Sequence, residues 1–187
     1  MNCEIMKEIM IPYRLNRTVP ESIHRWILEE INSLSQKWPK SIQKRAEECA
    51  ILAGKAEIEK KPASAVTKLI WFLQRNGWTV YDSYASASFG IKSGRSIDRM
   101  RRFYEELHRR DFTDSAKGIN KIIKCKDFKN IPKIDYLYGE FVIDKFCQLF
   151  GNKDYNKEIQ ILRDSDHPIK KLAREIADKH SDCLLRP

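Results

Sequence analysis

Apolar side chains recur every three or four residues along most of this chain, a spacing that predicts α-helices rather than strands. The first predicted helix begins at Thr18-Val19-Pro20-Glu21, where a capping residue, an early proline and an acidic residue are typical of a helix start. The second runs from Pro39 to about Ile58. We expect the core to contain Ile23, Ile27, Ile31 and Leu34 of the first helix and Ile42, Ala46, Cys49 and Ala53 of the second.

The densest apolar stretch covers residues 63–73. Because its apolar side chains occupy nearly all sides of a helix, we expect this helix at the centre of the domain. Asn76-Gly77 predicts its end, since glycine adopts the left-handed conformation that often follows a helix. Residues 78–81 are then expected to form an extended, buried connector. Asp82 follows as the N-cap of a short helix of small residues, which ends near Gly90.

The rest of the chain continues the helical pattern. Residues 96–110 predict the most clearly amphipathic helix, with Ile97, Met100, Phe103, Tyr104 and Leu107 on one side. A shorter helix is expected around residues 119–123, and a buried helix ends at Gly151. Its predicted inward side chains are Ile134, Leu137, Tyr138, Phe141, Val142, Phe146 and Leu149. Two further helices are expected over 154–163 and 166–179.

No strand pair and no repeat of fixed period accompanies these helices in the sequence, so the predicted fold class is all-α. The length of 187 residues fits one compact domain of about eight helices spanning residues 1–187, with an appended helical segment at its C-terminal end. Residues 1–17 are predicted to form a lead-in without a helix, because Pro12 and Asn16-Arg17 interrupt the pattern. The tail, residues 181–187, is expected to fray.

Charge and cysteine content narrow the function classes. Lys and Arg total 35 against 26 Asp and Glu, and the formal net charge of +9 favours polyanionic partners, with nucleic acid first. The five cysteines are irregularly spaced and include no C-x-x-C pair, which argues against a zinc site and indicates free thiols of a reducing compartment. No window approaches the ~20 apolar residues of a membrane span, and no signal peptide is evident. We therefore expect a cytoplasmic protein without a membrane partner.

The sequence predicts neither a metal nor a cofactor. Its four histidines form no H-x-x-x-H or H-E-x-x-H pattern. It also contains no P-loop, no G-x-S-x-G motif and no dinucleotide fingerprint. These absences leave single polar residues and charged surfaces as the candidate sites.

Asp82 is the candidate catalytic residue, and its position has two interpretations. Aspartate is a favoured N-cap, so capping alone explains its place at the start of a helix. A carboxylate held by backbone N–H groups there could also act as a base or stabilise a developing cation. The two roles are compatible. Four aromatic residues nearby either pack in the core or line a pocket that stacks a base, namely Trp71, Trp78, Tyr81 and Tyr84.

Cationic residues on and beside the predicted helix 96–110 form the candidate nucleic-acid surface, because they fall within ~100° of one another around the helix axis. Its members are Lys92, Arg95, Arg99, Arg102 and Arg109. Such a face could follow a phosphate backbone, or it could be solvated and paired with Glu105 and Glu106. Ser64 could cap a helix whose N-terminus meets a phosphate, or it could belong to an ordinary helix start.

The stretch Val80-Tyr81-Asp82-Ser83-Tyr84-Ala85 resembles the V-D-T-H-V stretch of the helix-hairpin-helix DNA glycosylase superfamily. In that family a helix and a short connector precede an aspartate, which caps the next helix and serves as the catalytic carboxylate. The resemblance covers residues 61–90 and implies an all-α, glycosylase-like scaffold in which Asp82 has that role. The glycine-rich hairpin turn of the family is replaced here by Lys61-Pro62-Ala63-Ser64-Ala65, and Lys68 is offset from the position of the catalytic lysine of bifunctional members.

Two functions of different classes follow from these observations. The first is a DNA-interacting helical domain, distantly similar to DNA glycosylases, with Asp82 beside a pocket. The second is a non-enzymatic module whose aromatic surface near residues 78–84 docks a protein partner. Salt-dependent DNA binding distinguishes the first function from the second.

Overall fold

The computed structural model describes residues 3–11, 15–56, 62–74, 76–125 and 138–151 of the chain. Within these ranges all regular structure is helical, which confirms the all-α prediction. The helices are α1 (Cys3–Met10), α2 (His24–Gln36), α3 (Ile42–Lys55), α4 (Ala63–Leu73), α5 (Ser83–Ser88), α6 (Ser96–Arg109), α7 (Phe112–Cys125) and α8 (Tyr138–Gly151), with 3-10 turns at Leu15–Arg17 and Glu21–Ile23. None of these helices is long and apolar enough to cross a membrane.

The helix α4 lies at the centre of the packing, as its apolar sequence predicts. Its side chains Ala65, Val66, Leu69 and Ile70 are buried, and α2, α3 and α6 all pack against it. The predicted inward residues of α2 and α3 also lie in this core: Ile27, Ile31, Ile42, Ala46, Cys49 and Ala53 are buried, and Ile23 and Leu34 pack against them. The local apolar periodicity therefore identifies most of the core around α4.

The predicted connector, residues 78–81, has no regular secondary structure and is largely buried, with hydrogen bonds to α4 and α6. Thr67 of α4 holds it: the Thr67 hydroxyl accepts a hydrogen bond from the Tyr81 N–H at 3.2 Å, and the Thr67 carbonyl accepts one from Trp78 Nε1 at 3.2 Å. On the α6 side, the Tyr104 hydroxyl donates to the Thr79 carbonyl at 2.8 Å. Polar groups of a non-helical segment thus find partners inside the core, which burial requires.

Glycine allows the turn that leads into the connector. Gly77 has a φ of +63°, in the left-handed region that the sequence predicts for it. The helix α4 itself ends earlier, at Leu73, and the Arg45 guanidinium donates to the Gly77 carbonyl at 2.9 Å. The same guanidinium lies 5.5 Å from the centroid of the Trp38 ring, so α3 and the end of α2 both brace this turn.

The first residues of the chain differ from the prediction. Instead of a lead-in without a helix, they form α1 and the 3-10 turn that follows, and Met6, Met10 and Leu15 are almost completely buried in the core. A short apolar run before Pro12 is enough to give α1 one buried side, and a proline after a helix is compatible with it. Pro12 therefore comes after α1 in the chain and does not prevent this helix from forming.

The helix α8 is present as predicted, and Val142 packs against the core as expected, but most of the predicted inward side is wrong. Phe141 has 47% of its surface exposed, and Val142, Phe146 and Leu149 are only partly buried. The buried residues are Gly139, Glu140, Ile143, Asp144 and Cys147. Apolar periodicity does not identify this side, because two of its buried residues, Glu140 and Asp144, are polar and bind specific partners. The remaining predicted inward residues, the helices over 154–163 and 166–179, and the tail at 181–187 lie outside the described side chains.

Glycines let α8 approach its neighbours closely. A Cβ added to Gly139 would overlap the backbone of Ala116 in α7, and one added to Gly151 would overlap the backbone of Tyr84 and approach the Ser88 N–H in α5. The small residues of α5, such as Ala85, complete this close contact. Because backbone atoms rather than flexible side chains are in the way, the space cannot be regained cheaply.

Gly151→Ala should therefore lower the free energy of unfolding by about 1–3 kcal/mol, as over-packing of a close contact usually does. Gly54→Ala in α3 is the matched control, since its added methyl group would meet only the Ile97 side chain, at 4.0 Å. Urea denaturation of both variants measures the difference. Equal stabilities would contradict the close packing of α8 on α5.

Candidate functional site

A cleft of about 240 Å³ opens between α4, the connector and α8. Its polar lining residues are Lys68, Asp82, Asp144, Lys145 and Gln148, and its apolar ones are Trp71, Phe72, Val80 and Phe141. Hydrogen bonds hold the connector on α4, and α8 packs closely on α5. These contacts fix the position of the elements that line the cleft. The cleft combines aromatic walls with carboxylate, amide and ammonium groups, which is the usual composition of a ligand site.

Asp82 is both the N-cap of α5 and a lining residue of the cleft. Its backbone is extended, and its Oδ1 accepts a hydrogen bond from the Ala85 N–H at 2.7 Å, which confirms the predicted cap. Its Oδ2 accepts a hydrogen bond from Nε2 of Gln148 at 3.3 Å. One carboxylate oxygen thus holds the helix, while the other belongs to the polar lining of the cleft.

Asp144 is a second carboxyl group in the cleft, and no sequence motif points to it. Only 9% of its surface is exposed. Its Oδ1 accepts a hydrogen bond from the Thr79 hydroxyl at 3.1 Å, and its Oδ2 accepts one from Nε2 of Gln148 at 3.2 Å. A single amide nitrogen therefore donates to Asp82 and Asp144 together and holds the two carboxyl groups side by side.

The environment of Asp144 favours its protonated form. Burial raises the pKa of Asp144 to about 6, and the nearby charge of Asp82 acts in the same direction. Lys145, whose Nζ is 3.5 Å from Oδ2 of Asp144, opposes this shift, as does the hydrogen bond from Thr79. Two neighbouring carboxyl groups, one of which has a pKa raised toward neutral pH, are typical of acid–base sites.

Lys145 contacts both Asp144 and Gln148. Its ammonium donates to Oε1 of Gln148 at 2.9 Å and lies 5.4 Å from the centroid of the Phe141 ring. About half of the Lys145 side chain is exposed, so its contacts are those of a surface cation rather than of a buried one. The second cation of the cleft is Lys68, on the opposite wall formed by α4.

The four aromatic residues predicted to line a pocket separate into three environments. Trp71 lines the cleft. Trp78 is completely buried and stacks on Tyr104 with 4.3 Å between ring centroids, while Tyr81 is 2% exposed and packs beside Phe103. Tyr84 is on the surface, with 52% of its area exposed. The cleft draws its other aromatic walls from α4 and α8, through Phe72 and Phe141.

The predicted cationic face of α6 forms, but it does not line the cleft. Lys92, Arg95, Arg102 and Arg109 are exposed, and Arg99 is partly buried. Two members have acidic partners: Arg95 is 2.8 Å from Asp98, and Arg109 is 2.7 Å from Glu106. Arg102 donates to the Ser93 carbonyl. The face is thus partly paired along its own helix, as the solvated interpretation expected, and partly open.

Ser64 lies in the first turn of α4 but does not cap it, because the N-cap is Pro62. Its carbonyl accepts a hydrogen bond from the Thr67 hydroxyl at 3.0 Å. This bond belongs to the same Thr67 that holds the connector. Ser64 therefore helps to orient the hydroxyl group that binds the connector.

Sequence reasoning missed the contribution of α8 to the cleft, although a local signal was present. Glu140, Asp144 and Gln148 follow one another at intervals of four in a mostly apolar stretch, which places three polar side chains along one side of a helix. Two of them line the cleft. The third, Glu140, accepts a hydrogen bond from the Gly77 N–H at 3.0 Å and secures the start of α8 beside the connector.

Comparison of the chain with protein-family models, with curated proteins and with solved structures finds no match in any of the three. The resemblance to helix-hairpin-helix DNA glycosylases therefore stays a hypothesis based on the residues around Asp82. Within the described part of the chain, no group of three His, Cys, Asp or Glu side chains is arranged to hold a metal ion. The cleft itself offers carboxyl groups, lysines and aromatic walls.

The raised pKa of Asp144 should appear in the pH dependence of stability. An unfolded aspartate titrates near pH 4, so between about pH 4 and 6 the folded protein holds a proton that the unfolded chain has released. This difference lowers the stability of the folded protein as pH rises through that window, by up to about 3 kcal/mol, and the loss is complete above it. Asp144→Asn removes the loss.

Urea denaturation at pH 4 and at pH 7 measures this pH-dependent loss of stability. Relative to the wild type, Asp144→Asn should gain up to about 3 kcal/mol in unfolding free energy between the two pH values. Asp114→Asn, at an exposed position of α7, should show no comparable gain. A constant difference between wild type and Asp144→Asn would contradict the burial of this carboxyl group.

Proposed function

We propose that this domain binds DNA and acts on a base at the cleft, in the manner of the DNA glycosylases that it resembles. The observation that carries the proposal is the double role of Asp82, which caps α5 through Oδ1 and lines the cleft beside Gln148. The resemblance assigns this combination of cap and catalytic carboxylate to the family. A carboxylate in that position stabilises the positive charge that develops on a sugar as its bond to a base breaks.

The walls of the cleft support a base as the ligand. An extruded base is usually held by stacking on aromatic side chains and by hydrogen bonds to its polar edge. Trp71, Phe72 and Phe141 provide the first kind of contact, and Asp82, Asp144 and Gln148 provide the second. The side chain of Phe141 is 47% exposed and stands at the opening of the cleft, where an entering base would meet it.

The cationic face of α6 supports DNA as the polymer. Its ion pairs with Asp98 and Glu106 are on the surface, and surface pairs of this kind contribute little to stability. Their arginines can therefore exchange a carboxylate for a phosphate at small cost. The net charge of +9 adds a long-range attraction for a polyanion.

Titration of a labelled DNA duplex in increasing salt, followed by an assay of base release, tests this function. Changing Arg95, Arg99 and Arg102 to Ala should reduce the slope of log affinity against log salt by about 0.9 for each phosphate that the variant no longer neutralises. A triple change of Lys37, Lys40 and Lys44, which are exposed where α2 ends and α3 begins, is the matched control and should leave more of the slope intact. Equal effects of the two triple variants would contradict the assignment of the α6 face.

In the same assay, Asp82→Asn should bind DNA as the wild type does and release base at least ~100-fold more slowly. Its amide oxygen can still accept from the Ala85 N–H, so the cap is retained, whereas Asp82→Ala should lose about 1 kcal/mol of stability. Base release by Asp82→Asn at the wild-type rate would contradict the catalytic role. A variant that only unfolds more readily would show that the residue is a cap alone.

Exposed aromatic side chains favour a second candidate, a module that docks a protein partner. Tyr84 on α5 and Phe150 on α8 have 52% and 53% of their surfaces exposed. This function predicts no salt-dependent binding of DNA. It also predicts a stable complex with a partner that is lost when Tyr84 and Phe150 are both changed to Ser.

A further inference from the structure

We propose that Asp144 is a second catalytic residue of the cleft, which donates a proton to the leaving base while Asp82 faces the sugar. This inference rests on the proposed function, because it assigns a role within the same reaction. The substrate class is a nucleoside unit of DNA whose base is a poor leaving group until one of its nitrogens is protonated.

The geometry of the pair carries the inference. The Oδ2 atoms of Asp82 and Asp144 lie 3.3 and 3.2 Å from the same donor, Nε2 of Gln148. Both residues line the cleft, so one ligand there can contact both carboxyl groups. Asp144 is oriented by the Thr79 hydroxyl on Oδ1, which leaves Oδ2 as the oxygen on the side of Gln148 and Asp82.

The surroundings of Asp144 suit a proton donor. Burial raises its pKa to about 6, so about half of the molecules keep this proton at pH 6 and about a tenth keep it at pH 7. The titratable and charged groups around it are Asp82 beyond the connector, Lys145 and Cys147 on α8, Tyr104 on α6 and Lys68 across the cleft on α4. The closest cation, Lys145, is half exposed and holds Asp144 through a single contact of 3.5 Å.

The proposed step is a hydrolysis. The bond between C1′ of the sugar and the base nitrogen breaks, its electron pair passes to the base, and the base accepts the proton of Asp144. The oxygen of a water molecule forms the new bond to C1′ and gives one proton to Asp82. Transfer of that proton through solvent to Asp144 restores both carboxyl groups, and the products are the free base and an abasic sugar.

A purely structural role for Asp144 makes a different prediction. Its hydrogen bond from Thr79 joins α8 to the connector, so any substitution could disturb the cleft without removing a proton donor. Loss of a proton donor affects only substrates whose leaving base needs protonation. Loss of structure affects every substrate.

The test compares two DNA duplexes. One carries a neutral base, the best of a panel of uracil, hypoxanthine and adenine; the other carries 7-methylguanine, which is already cationic and leaves without protonation. Asp144→Asn, whose amide oxygen can still accept from Thr79, should slow release of the neutral base at least ~100-fold more than it slows release of 7-methylguanine. Asp82→Asn should slow both.

The wild-type pH profile provides a readout that needs no variant. Release of the neutral base should decline above about pH 6, and release of 7-methylguanine should not. Equal losses on both substrates in Asp144→Asn, or identical pH profiles for the two substrates, would overturn the role of Asp144 and leave the proposed function intact. A wild-type protein that releases base from neither duplex would overturn the proposed function, and this inference with it.

Discussion

The support of the connector by Thr67 is the constraint on which the rest of this structure depends. Residues 78–81 run through the core without helical hydrogen bonds, and an unpaired buried backbone group costs about 1–3 kcal/mol. The Thr67 and Tyr104 hydroxyls pair with backbone groups of Tyr81 and Thr79, and the Thr67 carbonyl accepts from the Trp78 indole N–H. Because α4 is the central helix, these bonds anchor the connector on the core.

Hydrogen bonds to the connector and to the turn before it explain why the buried side of α8 carries carboxyl groups. Glu140 accepts a hydrogen bond from the Gly77 N–H and Asp144 accepts one from the Thr79 hydroxyl, so two carboxyl groups of α8 bind the connector and the turn before it. The glycines of α8 bring its backbone close to α7 at one end and to α5 at the other. Burial of Asp144 at this junction opposes its ionisation, and a perturbed carboxyl group in a cleft is a frequent sign of a functional site.

Sequence alone predicts the features that depend on neighbouring residues. The helices α2 to α6, the buried connector and the cap at Asp82 follow from apolar periodicity and from the turn chemistry of Gly77 and Asp82, which act over a few residues. Sequence alone does not predict the helix α1, because Pro12 indicates an interruption of any helix in this region. Pro12 in fact comes after the end of α1. The cationic face of α6 is also predictable, because it depends only on helical spacing.

The features that depend on distant partners are not predictable in the same way. The buried side of α8 is polar, and its partners at Gly77 and Thr79 lie more than sixty residues earlier in the chain. In the sequence Asp144 therefore resembles one of many surface acids, while Phe141 resembles core. For the same reason Trp71, rather than Trp78 or Tyr81, lines the cleft: the connector turns the latter two rings into the core.

The central claim is that Asp82 and Asp144 share one cleft and that the charge of Asp82 raises the pKa of Asp144. Carbon-13 NMR of the aspartate carboxyl groups, recorded as a function of pH in the wild type and in Asp82→Asn, tests this claim most directly. The account predicts a titration of Asp144 near pH 6 that moves to lower pH when the charge of Asp82 is removed. A titration near pH 4 in the wild type, or one that Asp82→Asn leaves unchanged, would contradict the account.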